Sequence, residues 1–180
     1  MKKSIIAEKR ALSPVIATVI LISVTIVVAV SVAYWMGSIA SGYTSFEQIE
    51  LPTAYAKYLS DLDDDTDGDQ PGWEIYIDLK NTGSADATID NVFINAIPID
   101  DLHYTNPKGA KLYVYDETNG YTEITDYSDI SIQVYKGSSQ KIKITIFDDG
   151  SVEGASAGTR MDFKLHSAAG REYPAQVKLP

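Results

Sequence analysis

An α+β fold is predicted, with one long hydrophobic N-terminal helix followed by an antiparallel β-sandwich. Three observations lead there. Between Leu12 and Phe46 the chain carries no charged residue, and Leu12 to Ala40 is a 29-residue run of apolar and small side chains. Beyond Glu47 the texture changes to short stretches in which apolar residues alternate with polar ones. Gly, Asn and Asp separate those stretches, as turns between strands require.

The apolar run is too long for the roughly 7–15 apolar residues of a secretory signal and exceeds the ~20 that span a bilayer. A core helix of a soluble domain keeps a polar stripe, and this run has no charge on any side. The basic cluster of Lys2, Lys3, Lys9 and Arg10 precedes it and should remain cytoplasmic, placing the C-terminal part outside. Ser13 and Pro14 suit the N-cap and first turn of a helix. A helix from Pro14 to Phe46 would be roughly 50 Å long, more than the ~30 Å hydrocarbon core. Its second half must therefore cover apolar surface elsewhere, and a second copy of the same helix is the natural cover.

The 180 residues carry a net charge of −10, unevenly distributed. Only Glu8 and four basic residues precede Leu12, so 11 basic and 24 acidic residues lie from Glu47 onward, a net of −13. So acidic a domain repels phosphates and anionic lipid, and nucleic acid is excluded as a partner. With no cysteine, disulfides and thiolate chemistry are excluded as well.

Strands are expected where alternation is clearest. Trp73, Ile75, Ile77 and Leu79 share one face, as do Ile130, Ile132 and Val134, and Ile142, Ile144 and Ile146. Met161, Phe163 and Leu165 form another set, and Tyr173, Ala175, Val177 and Leu179 the last. Weaker strands are expected near Leu51–Leu59, Ala87–Ile94, Lys111–Tyr115 and Tyr121–Thr125, giving seven to nine in all. Hairpin turns are expected at Asn81-Thr82-Gly83, Asn119-Gly120, Asp149-Gly150 and Ala169-Gly170. No helix is expected beyond Phe46.

The stretch KRALSPVIATVILISVTIVVAV, from Lys9 to Val30, resembles the N-terminus of archaeal type IV pilin precursors. The resemblance implies a class III leader, residues 1–11, cut by a prepilin peptidase between Ala11 and Leu12, with Lys9, Arg10, Ala11 and Leu12 as the processing site. It implies a membrane and filament-core helix over 12–46 and an extracellular domain over 47–180. The freed helix would polymerise into an adhesive surface pilus, a homopolymer raised from the cytoplasmic membrane by an assembly ATPase and membrane platform. Archaellins share the leader but continue differently after the cut, and bacterial pilins carry Glu at the fifth mature position, where Ile16 stands. The segments Leu79–Ala96 and Phe163–Pro180 are similar to the immunoglobulin-like outer domains of archaeal pilins and archaellins. A membrane-anchored immunoglobulin-like binding module, or an archaellin-type subunit, is the alternative.

One segment has the spacing of a cation site. Asp63 to Glu74 fits D-x-D-x-D-G-x5-E, with Asp63, Asp65 and Asp67 at alternate positions, Gly68 at the sharp turn, Asp69 offering its carbonyl and Glu74 closing the loop. Calcium is the candidate, and no cofactor is expected to be essential. Gln70 departs from the usual apolar residue, and strands rather than helices flank the loop. Catalysis is not expected: His103 and His166 lack metal spacing, and no nucleophile elbow, P-loop or zinc-protease motif occurs. Tyr76, Tyr113, Tyr115 and Tyr135 fall on outward strand faces, where they serve either cross-strand pairing or a subunit or adhesion contact. No Asn-x-Ser/Thr sequon occurs.

Overall fold

Residues 7–12 read Ala-Glu-Lys-Arg-Ala-Leu, all among the strongest helix formers, and the helix already runs through them rather than beginning at Ser13. The computed structural model describes residues 5–62, 70–105 and 109–180, with side chains described from Pro14 onward and outside 103–105. Helix α1 runs Ile5–Thr44, 40 residues, with Pro14 inside it. The expected start at Ser13-Pro14 is thus corrected. Strong helix formers on its N-terminal side carry the helix through a proline that removes one backbone hydrogen bond.

From Pro14 to Thr44 the helix is long and apolar enough to cross a membrane, and every side chain described along it is exposed. Its hydroxyls close on their own backbone. Thr18 Oγ1 donates to the Val15 carbonyl at 2.8 Å, Ser23 to Val19 at 2.8 Å, Thr25 to Ile22 at 2.8 Å and Ser31 to Val27 at 2.7 Å. Each of these four hydroxyl hydrogens is satisfied within the helix, so these residues do not bar it from an apolar surround.

The chain divides after Ser45, and Phe46–Pro180 forms the second unit. Its strands are β1 (Ile49–Leu59), β2 (Gly72–Asn81), β3 (Ala87–Ile94), β4 (Ile97–Pro98) and β5 (Ala110–Asp116). They continue with β6 (Gly120–Glu123), β7 (Ile132–Val134), β8 (Ser139–Phe147), β9 (Arg160–Ser167) and β10 (Glu172–Lys178). One antiparallel sheet has the order β1-β2-β8-β5-β6, and the other β10-β9-β3-β4 with β7 also on β3. Two antiparallel sheets facing across one core make a sandwich, as the alternation predicts.

The predicted apolar rows form that core. Trp73, Ile75, Ile77, Leu79, Ile142, Ile144 and Ile146 come from the first sheet, and Ile89, Val92, Ile94, Met161, Phe163 and Leu165 from the second; all are fully or almost fully buried. On β3 the pairing with β9 shifts between Ile89 and Asn91. This bulge changes the phase of alternation, so Ile89 and Val92, three residues apart, both point inward.

Turn chemistry was legible in part. Gly120 (φ 72°) and Gly170 (φ 80°) turn the β5–β6 and β9–β10 hairpins as expected. Asn81-Thr82-Gly83 and Asp149-Gly150 are not hairpins, because each connection passes from one sheet to the other. The β3–β4 turn escaped notice because it contains no glycine: Asn95 (φ 50°) and Ala96 (φ 68°) take the left-handed region themselves. Asn95 is held there by both ends of its amide, donating to the Glu153 carbonyl at 2.9 Å and accepting from the Asp162 N–H at 3.1 Å. The expectation of no helix beyond Phe46 is also corrected. Helix α2 spans Ile99–Thr105 and includes His103. With seven residues, its only apolar period is Ile99 and Leu102, too short to read.

Candidate assembly helix and an aromatic outer face

The predicted processing residues Lys9, Arg10, Ala11 and Leu12 fall within α1, in the part whose side chains lie outside the description. Asp63, Asp65, Asp67 and Asp69 lie outside the described residues. The flanks of that segment are tied together, Leu62 N–H donating to the Gln70 carbonyl at 2.8 Å. Glu74 lies in β2 with its carboxylate engaged by protein: Lys143 Nζ is 2.9 Å from Oε1, and Tyr76 OH donates to Oε2 at 2.6 Å. A cation at Glu74 would share the carboxylate with both donors. Among the described residues no group of three His, Asp or Glu could hold a metal.

Glu74 instead sits on the outward face of the β1-β2-β8-β5-β6 sheet, whose registers build three rows across the strands. The central row is Tyr55, Tyr76, Lys143, Tyr113 and Glu123, each directly opposite the next. On one side run Lys57, Glu74, Thr145 and Lys111. On the other, Thr53 faces Asp78 and Asp78 faces Lys141, while Tyr115 faces Tyr121. Direct opposition brings side chains within ~5 Å, so the rows touch.

The rings stack in sequence. Tyr55 lies on Tyr76 with centroids 5.1 Å apart and planes within 15°. Tyr121 meets Tyr76 edge-on at 5.8 Å and Tyr115 at 5.2 Å. Ammonium groups lie over these rings: Lys143 is 4.5 Å from the Tyr113 centroid and 5.5 Å from Tyr121, Lys57 5.1 Å from Tyr76, and Lys141 5.7 Å from Tyr115. Such contacts hold long lysine side chains in place at the surface.

The electrostatics follow from this crowding. Burial resists ionisation of Glu74, but the hydrogen bonds from Lys143 and Tyr76, with the charges of Lys143 and Lys57, outweigh it and hold the carboxyl below its ordinary 4.5. Burial and the bond to Glu74 push the Tyr76 phenol well up. Burial and the Glu123 charge push Tyr113 up to about 12.

Sequence reasoning found Tyr76, Tyr113 and Tyr115 on this face and missed Tyr55 and Tyr121, whose places depend on which strands pair. Tyr135 lies off it, following β7 and donating to Gln133 at 2.9 Å. His166 lies in β9, with its Nδ1 2.7 Å from Asp90. Glu47, the first charge after the uncharged run, was also missed: it is buried, accepts from the equally buried Ser167 hydroxyl and is 3.3 Å from Tyr173 OH.

No protein-family model matches the chain, and no curated protein matches it. Among solved structures it is similar to the archaellum periplasmic stator protein FlaG from Sulfolobus acidocaldarius, at 11% identity and a TM-score of 0.36, over 73% of this chain and 99% of that one. It is similar to the archaeal flagellum of Methanospirillum hungatei strain JF1, at 15% identity and a TM-score of 0.37, over 94% and 92%. A third likeness is to the Iho670 flagellar-like filament, at 13% identity and a TM-score of 0.35, over 92% and 98%. Overlaps this low carry no argument about function. The residues must carry it.

Proposed function

We propose that this chain is a structural subunit of an extracellular filament of the archaeal type IV pilus kind. In this reading α1 is the polymerising element and the sandwich is displayed outside for surface adhesion. The observation that carries it is the uncharged helix Pro14–Thr44, 31 residues with every side chain exposed. At ~1.5 Å per residue it is roughly 45 Å long, half again the ~30 Å that a bilayer core covers. Packing against copies of itself hides the remainder, and the proposed cut between Ala11 and Leu12, within the processing residues Lys9 to Leu12, would part the helix from its basic cytoplasmic anchor. Cleavage would also leave Pro14 as the third mature residue, in a first turn where its missing N–H costs nothing.

The role is mechanical rather than catalytic, and the partners are further copies, the prepilin peptidase and the assembly machinery of the membrane. An archaellin-type subunit shares all of this except the Ser13-Pro14-Val15-Ile16 continuation. Calcium at Asp63–Glu74 remains part of the proposal, to be tested by melting the full chain in detergent with calcium and then with chelator; identical curves exclude it.

The deciding experiment is electron microscopy of sheared surface material with mass spectrometry of its main band. Filaments whose subunit begins Leu-Ser-Pro-Val are expected. A chain found only in the membrane fraction, still carrying Lys2 and Lys3, would leave the anchored binding module. Val24→Asp in the helix, costing roughly 2.5–3.5 kcal/mol at mid-membrane, should abolish filaments.

A further inference from the structure

The outward face of the β1-β2-β8-β5-β6 sheet differs in charge from the rest of its domain. Its three rows hold Lys57, Lys111, Lys141 and Lys143 against Glu74, Asp78 and Glu123. Of the 11 basic and 24 acidic residues beyond Phe46, that leaves 7 basic and 21 acidic for everything else. One face is therefore near neutral, slightly basic and rich in tyrosine, while the remainder is acidic by 14 charges. Face and remainder are complementary to each other.

We propose that this face docks the acidic surface of a second copy of the same chain, a contact between outer domains that adds to the helix packing of the filament reading, on which it rests. Lys57 and Lys141 are the exposed cations that would meet the incoming carboxylates. Lys143 is already committed to Glu74 at 2.9 Å and serves to hold the rings in place. Tyr55 and Tyr115, 42% and 38% exposed, supply the flat apolar area between the charges. Stacking and edge contacts fix these rings before any partner arrives, so little side-chain freedom remains to be lost on docking. Tyrosine-rich surface is what protein contacts favour over the lysine- and glutamate-rich surface typical elsewhere.

A carboxylate-rich counterpart exists on every copy. Leu62 N–H to the Gln70 carbonyl and Asp148 N–H to the Pro71 carbonyl, each 2.8 Å, gather the segments bearing Asp61, Asp148 and Asp149 at one end of the sandwich, where all three are exposed. A basic face meeting a different, acidic surface is a head-to-tail contact. Such contacts do not close a dimer; they propagate, and when the rotation does not close they generate helical fibres. Charge complementarity also makes the contact weaken as salt rises.

The test uses the full chain purified in detergent, with unlabelled and nitrogen-15-labelled batches mixed and allowed to assemble, then treated with a zero-length carbodiimide. Mixed-isotope cross-links from Lys57 or Lys141 to aspartate or glutamate are expected. The Lys57→Glu/Lys141→Glu variant, which has no amine to couple at either position, is read by assembly alone and should need a roughly tenfold higher concentration to form fibres. Should that variant fold poorly by near-ultraviolet circular dichroism, Lys57→Gln/Lys141→Gln gives the neutral comparison and should fall between the two. Fibre assembly unchanged in the lysine variants, or wild-type fibres without mixed-isotope links from Lys57 or Lys141, while Val24→Asp abolishes fibres, would overturn the docking face and keep the filament reading. If Val24→Asp leaves fibres normal, it is the filament reading that falls. Links confined to one isotope, together with retention of the chain on polygalacturonate, would overturn self-docking in favour of an acidic glycan.

Discussion

Lys143 on β8 reaches diagonally to Glu74 on β2, Nζ to Oε1 at 2.9 Å, with Tyr76 closing the second oxygen at 2.6 Å. Both charged side chains are largely covered, 17% and 14% exposed. Removing one partner would leave the other charged and half-desolvated. Lys143→Ala is expected to cost about 2 kcal/mol, measured by thermal unfolding of the full chain in detergent. Because Glu74 is held below its ordinary 4.5, its contribution is complete above that value and is lost as pH falls through the lower, folded-state value. Wild-type stability should therefore drop below pH 4.5 more steeply than that of Lys143→Ala; parallel curves would remove Lys143 from this role.

The tyrosines give the opposite sign at high pH. Tyr76, Tyr113 and Tyr121 are all raised above their ordinary 10.0, chiefly by burial, Tyr113 to about 12. A raised phenol contributes stability below its unfolded value and loses it as pH climbs towards the folded one. Ultraviolet titration of phenolate should show these rings ionising later than exposed tyrosines, with the domain weakening above pH 10. A single titration step near 10 in the folded protein would contradict the packing of this face.

Gly83 is required by space rather than by conformation. A Cβ there would lie 2.5 Å from the Phe46 carbonyl oxygen and 2.6 Å from the Gln48 nitrogen, both backbone. The same turn donates Ser84 and Ala85 N–H to the Phe46 carbonyl, at 2.9 and 3.0 Å. Gly83→Ala should cost on the order of 1–3 kcal/mol, the usual range for overpacking, read as a fall in melting temperature. No change would mean that the Phe46–Gln48 segment moves freely.

Trp73 is fully buried at the end of β2 against Ile146, with Tyr58 edge-on at 5.6 Å. Its indole N–H has no hydrogen-bond partner among the described residues. Trp73→Ala should cost about 3–5 kcal/mol, whereas Trp73→Phe, which deletes the unpaired donor and keeps a ring, should cost under about 1.5 kcal/mol. Equal losses from both would show that the donor is satisfied in solution.

Local pattern alone determined the long uncharged helix, the two-sheet sandwich and most of its strands. Hydrophobic run length and period-2 alternation are written in consecutive residues, and burial selects for them at Ile75, Ile144 or Phe163 whichever strand lies alongside. Tertiary structure decided what depends on partners distant in sequence. Tyr55 and Tyr121 join Tyr76 only because β1, β2, β8, β5 and β6 lie in that order, and Glu74 meets Lys143 across 69 positions of chain. Spacing along the chain puts Glu74 in register as a cation ligand, and only the sheet adds that Lys143 on the neighbouring strand engages its carboxylate. Turns divide the same way: Gly120 and Gly170 announce themselves by their freedom at positive φ, while Asn95 takes that conformation only because Glu153 and Asp162 hold its amide. The basic face in an acidic domain is likewise a property of pairing order, since charge along the chain mixes what the sheet sorts.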